Sequence, residues 1–103
     1  MNDKLSYHQQ GKITAYGTNP DGGHCGFKEL PSEQAKRYFV AISAQYGWND
    51  GAYCGSCVKL RYVDGNELVG YIHNSCPECG PNHWDLSNYF YLDLTGEEYI
   101  GKV

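Results

Sequence analysis

The 103-residue chain carries eight Lys and Arg against twelve Asp and Glu, a net charge of −4 at pH 7. Its basic residues concentrate only at Lys36-Arg37 and at Lys59 and Arg61, so it lacks the stripe that tracks phosphates and is not expected to bind nucleic acid. The length suits one domain with a modest core, no apolar run is long enough to span a membrane, and thirteen glycines with ten tyrosines describe a loop-rich, aromatic-rich β protein.

Residues 1–10 are polar and unpatterned, and are expected to form a flexible lead-in to a domain covering residues 11–103. They contain no apolar signal-peptide core, which suits either a mature domain with an added start Met or an intracellular protein. Gly11 to Gly17 alternates with the period of a strand, Ile13 and Ala15 pointing one way and Thr14 and Tyr16 the other. Thr18 to Gly26 is dense in turn residues and reads as a loop, with Asp21 suited to an Asx turn. Pro31 to Arg37 predicts a short helical turn capped by Ser32.

Tyr38 to Ser43 is β-rich, although so short an apolar run does not report its own class. Val58 to Val63 and Leu68 to His73 predict two strands of a hairpin turned by Asp64, Gly65, Asn66 and Glu67. Pro77 to Trp84 reads as a loop. The segment from Asp85 to Gly96 predicts a short helix, capped by Ser87 and ended by Gly96. Short strands with one late helix suggest a small β-barrel.

Five cysteines carry the strongest local signal. Cys54, Cys57, Cys76 and Cys79 form a C-x2-C-x18-C-x2-C pattern with the spacing of a tetrahedral zinc site, to which His24, His73 or His83 could contribute. The same cysteines could be disulfide partners in a small secreted domain. A second signal is His83-Trp84-Asp85-Leu86-Ser87, which sets a carboxylate beside an indole at a capped helix start. Asp85 there is either a plain first-turn acid or, with its pKa raised by an apolar neighbour, a general acid for a glycosidic oxygen.

"HWDLS" resembles the "HFDLS" motif of expansins and family forty-five endoglucanases, and four more segments fall in that family's order. These are "GKITAYG", "GGHCG", "NDGAYCGSC" and "HNSCPECG", so the resemblance runs from Gly11 to Leu94. It implies a mainly β fold, a six-stranded double-psi β-barrel with one or two short helices. It also favours disulfides over zinc: Cys25–Cys54 is implied as one bridge, and of Cys57, Cys76 and Cys79 one must stay free. No cofactor and no metal is expected.

The resemblance further implies a polysaccharide groove. Thr14 and Tyr16 match its first-strand pair, Asp85 the acid of the hydrolases that expansins retain, and Asn74 the polar position two residues before Cys76. His83 is expected beside them, and Trp48, Tyr53 and Trp84 are candidates for stacking on sugar, since flat rings suit the apolar faces of pyranoses. Hydrolysis with inversion needs a base opposite the acid. The commonest family base position is Thr18 here, and the alternative, Asn74, is a neutral amide poorly suited to the task.

The expected function is therefore non-hydrolytic binding and loosening of cellulose, β-glucan or chitin by a secreted, cell-wall protein. A weak inverting endoglucanase with Asp85 as acid and Asn74 as assisting base is the nearest alternative. A zinc-ribbon module and a barrel reused for binding or protease inhibition are the others. The sixth strand of the family barrel would begin near Gly101-Lys102-Val103, where the chain stops. A truncated strand would leave an edge able to pair with a second chain, so the expected monomer could become an edge-strand dimer.

Overall fold

The computed structural model describes residues 11–19, 23–26 and 30–98. The expected lead-in at 1–10, the Asx turn at Asp21 and the start of a sixth strand at 101–103 lie outside the described residues. Within them the elements run β1 (Lys12–Ala15), α1 (Glu33–Arg37), β2 (Phe39–Ser43), β3 (Cys57–Arg61), β4 (Glu67–Cys76), β5 (His83–Leu86) and α2 (Asn88–Thr95), with a single 3-10 turn at Asn49–Gly51.

Among the described residues the strands form one five-stranded sheet in the order β1-β5-β2-β4-β3. β1 and β5 are parallel, as are β2 and β4, whereas β2–β5 and β3–β4 are antiparallel. β2 is buried at all five positions, because it is hydrogen-bonded on both edges and covered on both faces. That continuous burial is why Tyr38–Ser43 shows no alternation in sequence.

The hairpin forms as expected, with slightly different limits. β3 ends at Arg61, and Tyr62 and Val63 belong to the turn, where Val63 is 92% exposed. Asp64 Oδ1 accepts from the Asn66 amide at 2.9 Å, and Gly65 supplies the left-handed residue at φ 94°. The Asn66 side chain then donates to the carbonyls of Asp93 and Leu94 at 3.0 and 2.9 Å, satisfying C-terminal groups of α2 that the helix itself leaves unpaired.

The largest departure from expectation concerns β5. His83–Leu86 is a strand, not loop and helix start, and α2 begins only at Asn88. Ser87 is nevertheless the cap: its Oγ accepts from the Phe90 amide at 3.2 Å and donates to the Arg37 carbonyl at 2.6 Å, tying α2 to the end of α1. Gly96 closes the helix in the left-handed region. Ser32 caps α1 by accepting from the Ala35 amide at 3.1 Å.

The main core gathers Val40, Ile42, Val58, Ile72, Trp84, Leu86, Phe90 and Leu94. Each fully buried large apolar side chain contributes about 1.5–3 kcal/mol relative to exposure. Phe90 lies directly on Gly70 of β4, where a Cβ would collide with its ring. A smaller cluster of Leu30, Ala35 and Phe39 packs below Tyr16 and Tyr71.

Two disulfides are present, Cys25–Cys54 and Cys76–Cys79, and Cys57 carries a free, half-buried thiol. The pairing settles the sequence quartet. Cys54 is bonded to Cys25, and Cys76 to Cys79, so the four sulfurs do not form a zinc ribbon.

Candidate functional site

Strand register aligns the site. Thr14 lies opposite Asp85 across β1 and β5, Asp85 opposite Ala41 across β5 and β2, and Ala41 opposite Asn74 across β2 and β4. Directly opposed residues share a sheet face, so one row crosses four strands with Asp85 near its middle. Trp84 and Leu86, one position either side, project into the core instead.

Thr14 and His83 complete the polar centre. The Thr14 hydroxyl donates to Asp85 Oδ1 at 2.7 Å, and His83 Nε2 lies 2.8 Å from the same hydroxyl. Because that hydroxyl's proton is committed to the carboxylate, His83 Nε2–H is the donor in its pair with Thr14. Burial pushes the Asp85 carboxyl above its ordinary pKa, the Thr14 hydrogen bond and His83 pull it back, and Glu78 adds to the rise. A partly desolvated carboxylate with a fixed donor is suited to gripping hydroxyl groups.

These residues face an open cleft of about 460 Å³ whose walls include Lys12, Thr14, Tyr16, Cys76, Glu78, His83 and Asp85. Tyr16 supplies its aromatic wall. The ring is set edge-on against Phe39 at 5.7 Å and stacked with His73 at 6.2 Å, with its hydroxyl 3.3 Å from His73 Nδ1. Burial first, and the Asp85 charge second, push the phenol's pKa well up, so Tyr16 stays neutral.

Four expected site residues thus converge on the cleft: Thr14, Tyr16, His83 and Asp85. The others do not line it. Trp84 is only 8% exposed and belongs to the core, which corrects its expected role as a sugar platform. Tyr53 and Trp48 are half-buried against the same core, Trp48 stacking on the His24 ring at 4.2 Å. Asn74 is used by the backbone: its Oδ1 accepts from the His24 and Ser75 amides, both at 2.8 Å. An amide oxygen so engaged pins the Gly23–Gly26 loop, and the expected assisting base is not presented to the cleft.

Lys12 and Glu78 were not anticipated on the cleft wall. The alternation of polar and apolar residues in His83-Trp84-Asp85-Leu86 was the available signal for the rest of the site. Read as a strand, it puts Trp84 and Leu86 in the core and His83 with Asp85 on the open face.

No family model matches the sequence. Among curated proteins, the chain is 29% identical over 82 residues to expansin-like protein 3 of Dictyostelium discoideum, covering 75% of this chain and 24% of that protein. It is 31% identical over 72 residues to expansin-like protein 5 of the same organism, covering 65% of this chain and 30% of that one. The match therefore spans less than a third of either relative's length. Among solved structures, the apo Clavibacter michiganensis expansin superposes with a TM-score of 0.69 at 24% identity, covering 82% of this chain and 41% of that one. The Streptomyces papain inhibitor superposes with a TM-score of 0.64 at 26% identity, covering 84% and 79%. Together with the strand order and the cleft, these likenesses give the fold its name, an expansin-like double-psi β-barrel.

Proposed function

We propose that the chain binds a neutral cell-wall polysaccharide, a β-glucan, cellulose or chitin, in the Asp85 cleft, and loosens it without cleaving it. The observation that carries this reading is the Thr14–Asp85 hydrogen bond at 2.7 Å on a cleft wall shared with Tyr16 and His83. Sugar hydroxyls would donate to Asp85, and a pyranose face would lie on Tyr16. The Asp85 carboxylate, Glu78 and a net charge of −4 disfavour anionic polymers such as pectin. Two disulfides are consistent with a secreted protein working outside the cell.

The endoglucanase alternative is weakened by the hydrogen bonding of Asn74, whose carbonyl oxygen is occupied by two amides. A second reading from another class has a specific observation in its favour. The likeness to the Streptomyces papain inhibitor extends over 79% of that protein, against 41% of the Clavibacter expansin, so a protease-inhibitory barrel is the runner-up.

One set of assays separates the three. Wild type, Thr14→Val and Asp85→Asn would be pulled down with insoluble cellulose and chitin, tested for reducing-end release, and tested against papain. The expected result is polymer binding by wild type, weakened about tenfold or more by Asp85→Asn through loss of a charge-assisted hydrogen bond, with no sugar release. Wild-type sugar release that vanishes in Asp85→Asn while binding persists would establish the hydrolase instead. Papain inhibition without polymer binding would establish the inhibitor.

A further inference from the structure

The Cys76–Cys79 bridge stands at the edge of the cleft, and its two sulfurs and a carboxylate oxygen of Asp85 all lie within 4.8 Å of one another. Two thiolates separated by two residues plus a third donor are the ligand set of a zinc or cobalt site, and the open side of the cleft leaves a fourth position for water. While the bridge is closed these sulfurs cannot act as thiolate ligands. We propose that a thiol reductant converts this bridge into a binding site for one thiophilic divalent cation, held by Cys76, Cys79 and Asp85.

Three features support that conversion. The turn is fastened independently of the S–S bond: the Ser43 hydroxyl donates to the Cys79 carbonyl at 2.8 Å, and the Cys79 amide to the Cys76 carbonyl at 3.3 Å. Opening the bridge therefore leaves the sulfurs adjacent, free to move to the separation of about 3.7 Å that tetrahedral zinc with two thiolates requires. The bridge spans a sequence separation of only three, against 29 for Cys25–Cys54, so it gains less from chain closure and is the easier to open. Cys76 also lines the cleft, the side from which a reductant must come, since Cys76 and Cys79 are otherwise buried.

The chemistry balances with a dithiol as reductant. It transfers two electrons and two hydrogens, the S–S bond breaks to two thiols, and the reductant leaves as its own disulfide. The cation then displaces both thiol protons and takes an Asp85 oxygen. Bound there, it withdraws the carboxylate from the cleft, a consequence that rests on the polysaccharide reading, whereas metal uptake does not.

The test uses the 103-residue chain with Cys57→Ala, so that the free thiol cannot contribute. After dithiol treatment and removal of the reductant without oxygen, cobalt and zinc are titrated in. Reduced protein should take up one equivalent with thiolate-to-cobalt absorption, and oxidised protein none. Cys76→Ser should abolish uptake. Asp85→Asn should weaken it by at least about tenfold, the lower limit seen when even outer partners of ligands are lost. Zinc should shield Cys76 and Cys79 from alkylation but leave Cys25 and Cys54 reactive or bridged. The proposal is overturned by a bridge that dithiol cannot open, by reduced protein that takes no metal, by uptake that survives Cys76→Ser, or by protection at Cys25 and Cys54 instead.

Discussion

Two carboxylates, Asp85 in the cleft and Asp93 on α2, sit in opposite circumstances. Asp93 is well served: its Oδ2 accepts from the Tyr38 hydroxyl and from Arg37 Nε and a terminal guanidinium nitrogen at 3.0 and 2.9 Å. The Tyr38 hydrogen bond, assisted by Arg37, holds its pKa below the ordinary value against a smaller opposing effect of burial. Asp85 is more buried and has fewer donors, and its pKa is raised. The first arrangement favours the ionised folded protein; the second works against it. The fold that Asp93 supports accounts for its setting, whereas burial works against the ionised form of Asp85 on the cleft wall.

Substitutions at the two ends sharpen that contrast, beginning with the largest effect. Ser87→Ala removes both the cap on Phe90 and the donor to the Arg37 carbonyl in a fully buried position, and should destabilise by about 2 kcal/mol in denaturant unfolding. Binding at the cleft, across the sheet, should survive wherever the variant is folded. Asp93→Asn should have a smaller effect with a pH signature. A depressed folded pKa contributes stability above the unfolded value of the group and loses it as pH falls through the folded one. Wild type and Asp93→Asn should therefore differ at neutral pH and converge in acid, as melting temperatures across a pH series would show.

Asp85→Asn should have the smallest effect on stability and the opposite sign. With its folded pKa raised, wild type loses stability as pH rises from the unfolded value through the folded one. The variant should thus equal or slightly exceed wild type in melting temperature at neutral pH, lose the advantage in acid, and bind polymer less well. A variant less stable than wild type at neutral pH would mean that Asp85 serves the fold as Asp93 does.

What the sequence disclosed was mostly local chemistry. Ser32 and Ser87 as caps, Gly96 as a stop and the Asp64–Glu67 turn depend on neighbours within a few residues, and each is found in place. Thr14 and Tyr16 could be paired because their alternation is written in one short strand. β5 was missed because four residues between a loop and a helix carry little signal of their own, and its partners, β1 and β2, lie far away in the chain. Trp84 was misplaced for the same reason: once its segment is a strand, alternation sends the indole to the core and the neighbouring Asp85 outward. The Cys76–Cys79 pairing depended on which sulfurs the fold brings together, which spacing alone leaves open.

The row across four strands also has a kinetic consequence. Thr14 and Asp85 are 71 positions apart, and both the β1–β5 and β2–β4 pairings are parallel, so neither can be made by a tight turn. Long chain segments must close before these contacts repay the lost entropy, which places them late in folding and slows it. The β3–β4 hairpin can form early and by itself, but no partial structure built on it contains the cleft. Binding competence should therefore appear in refolding only with the slowest phase, after hairpin signals have already reached their native value.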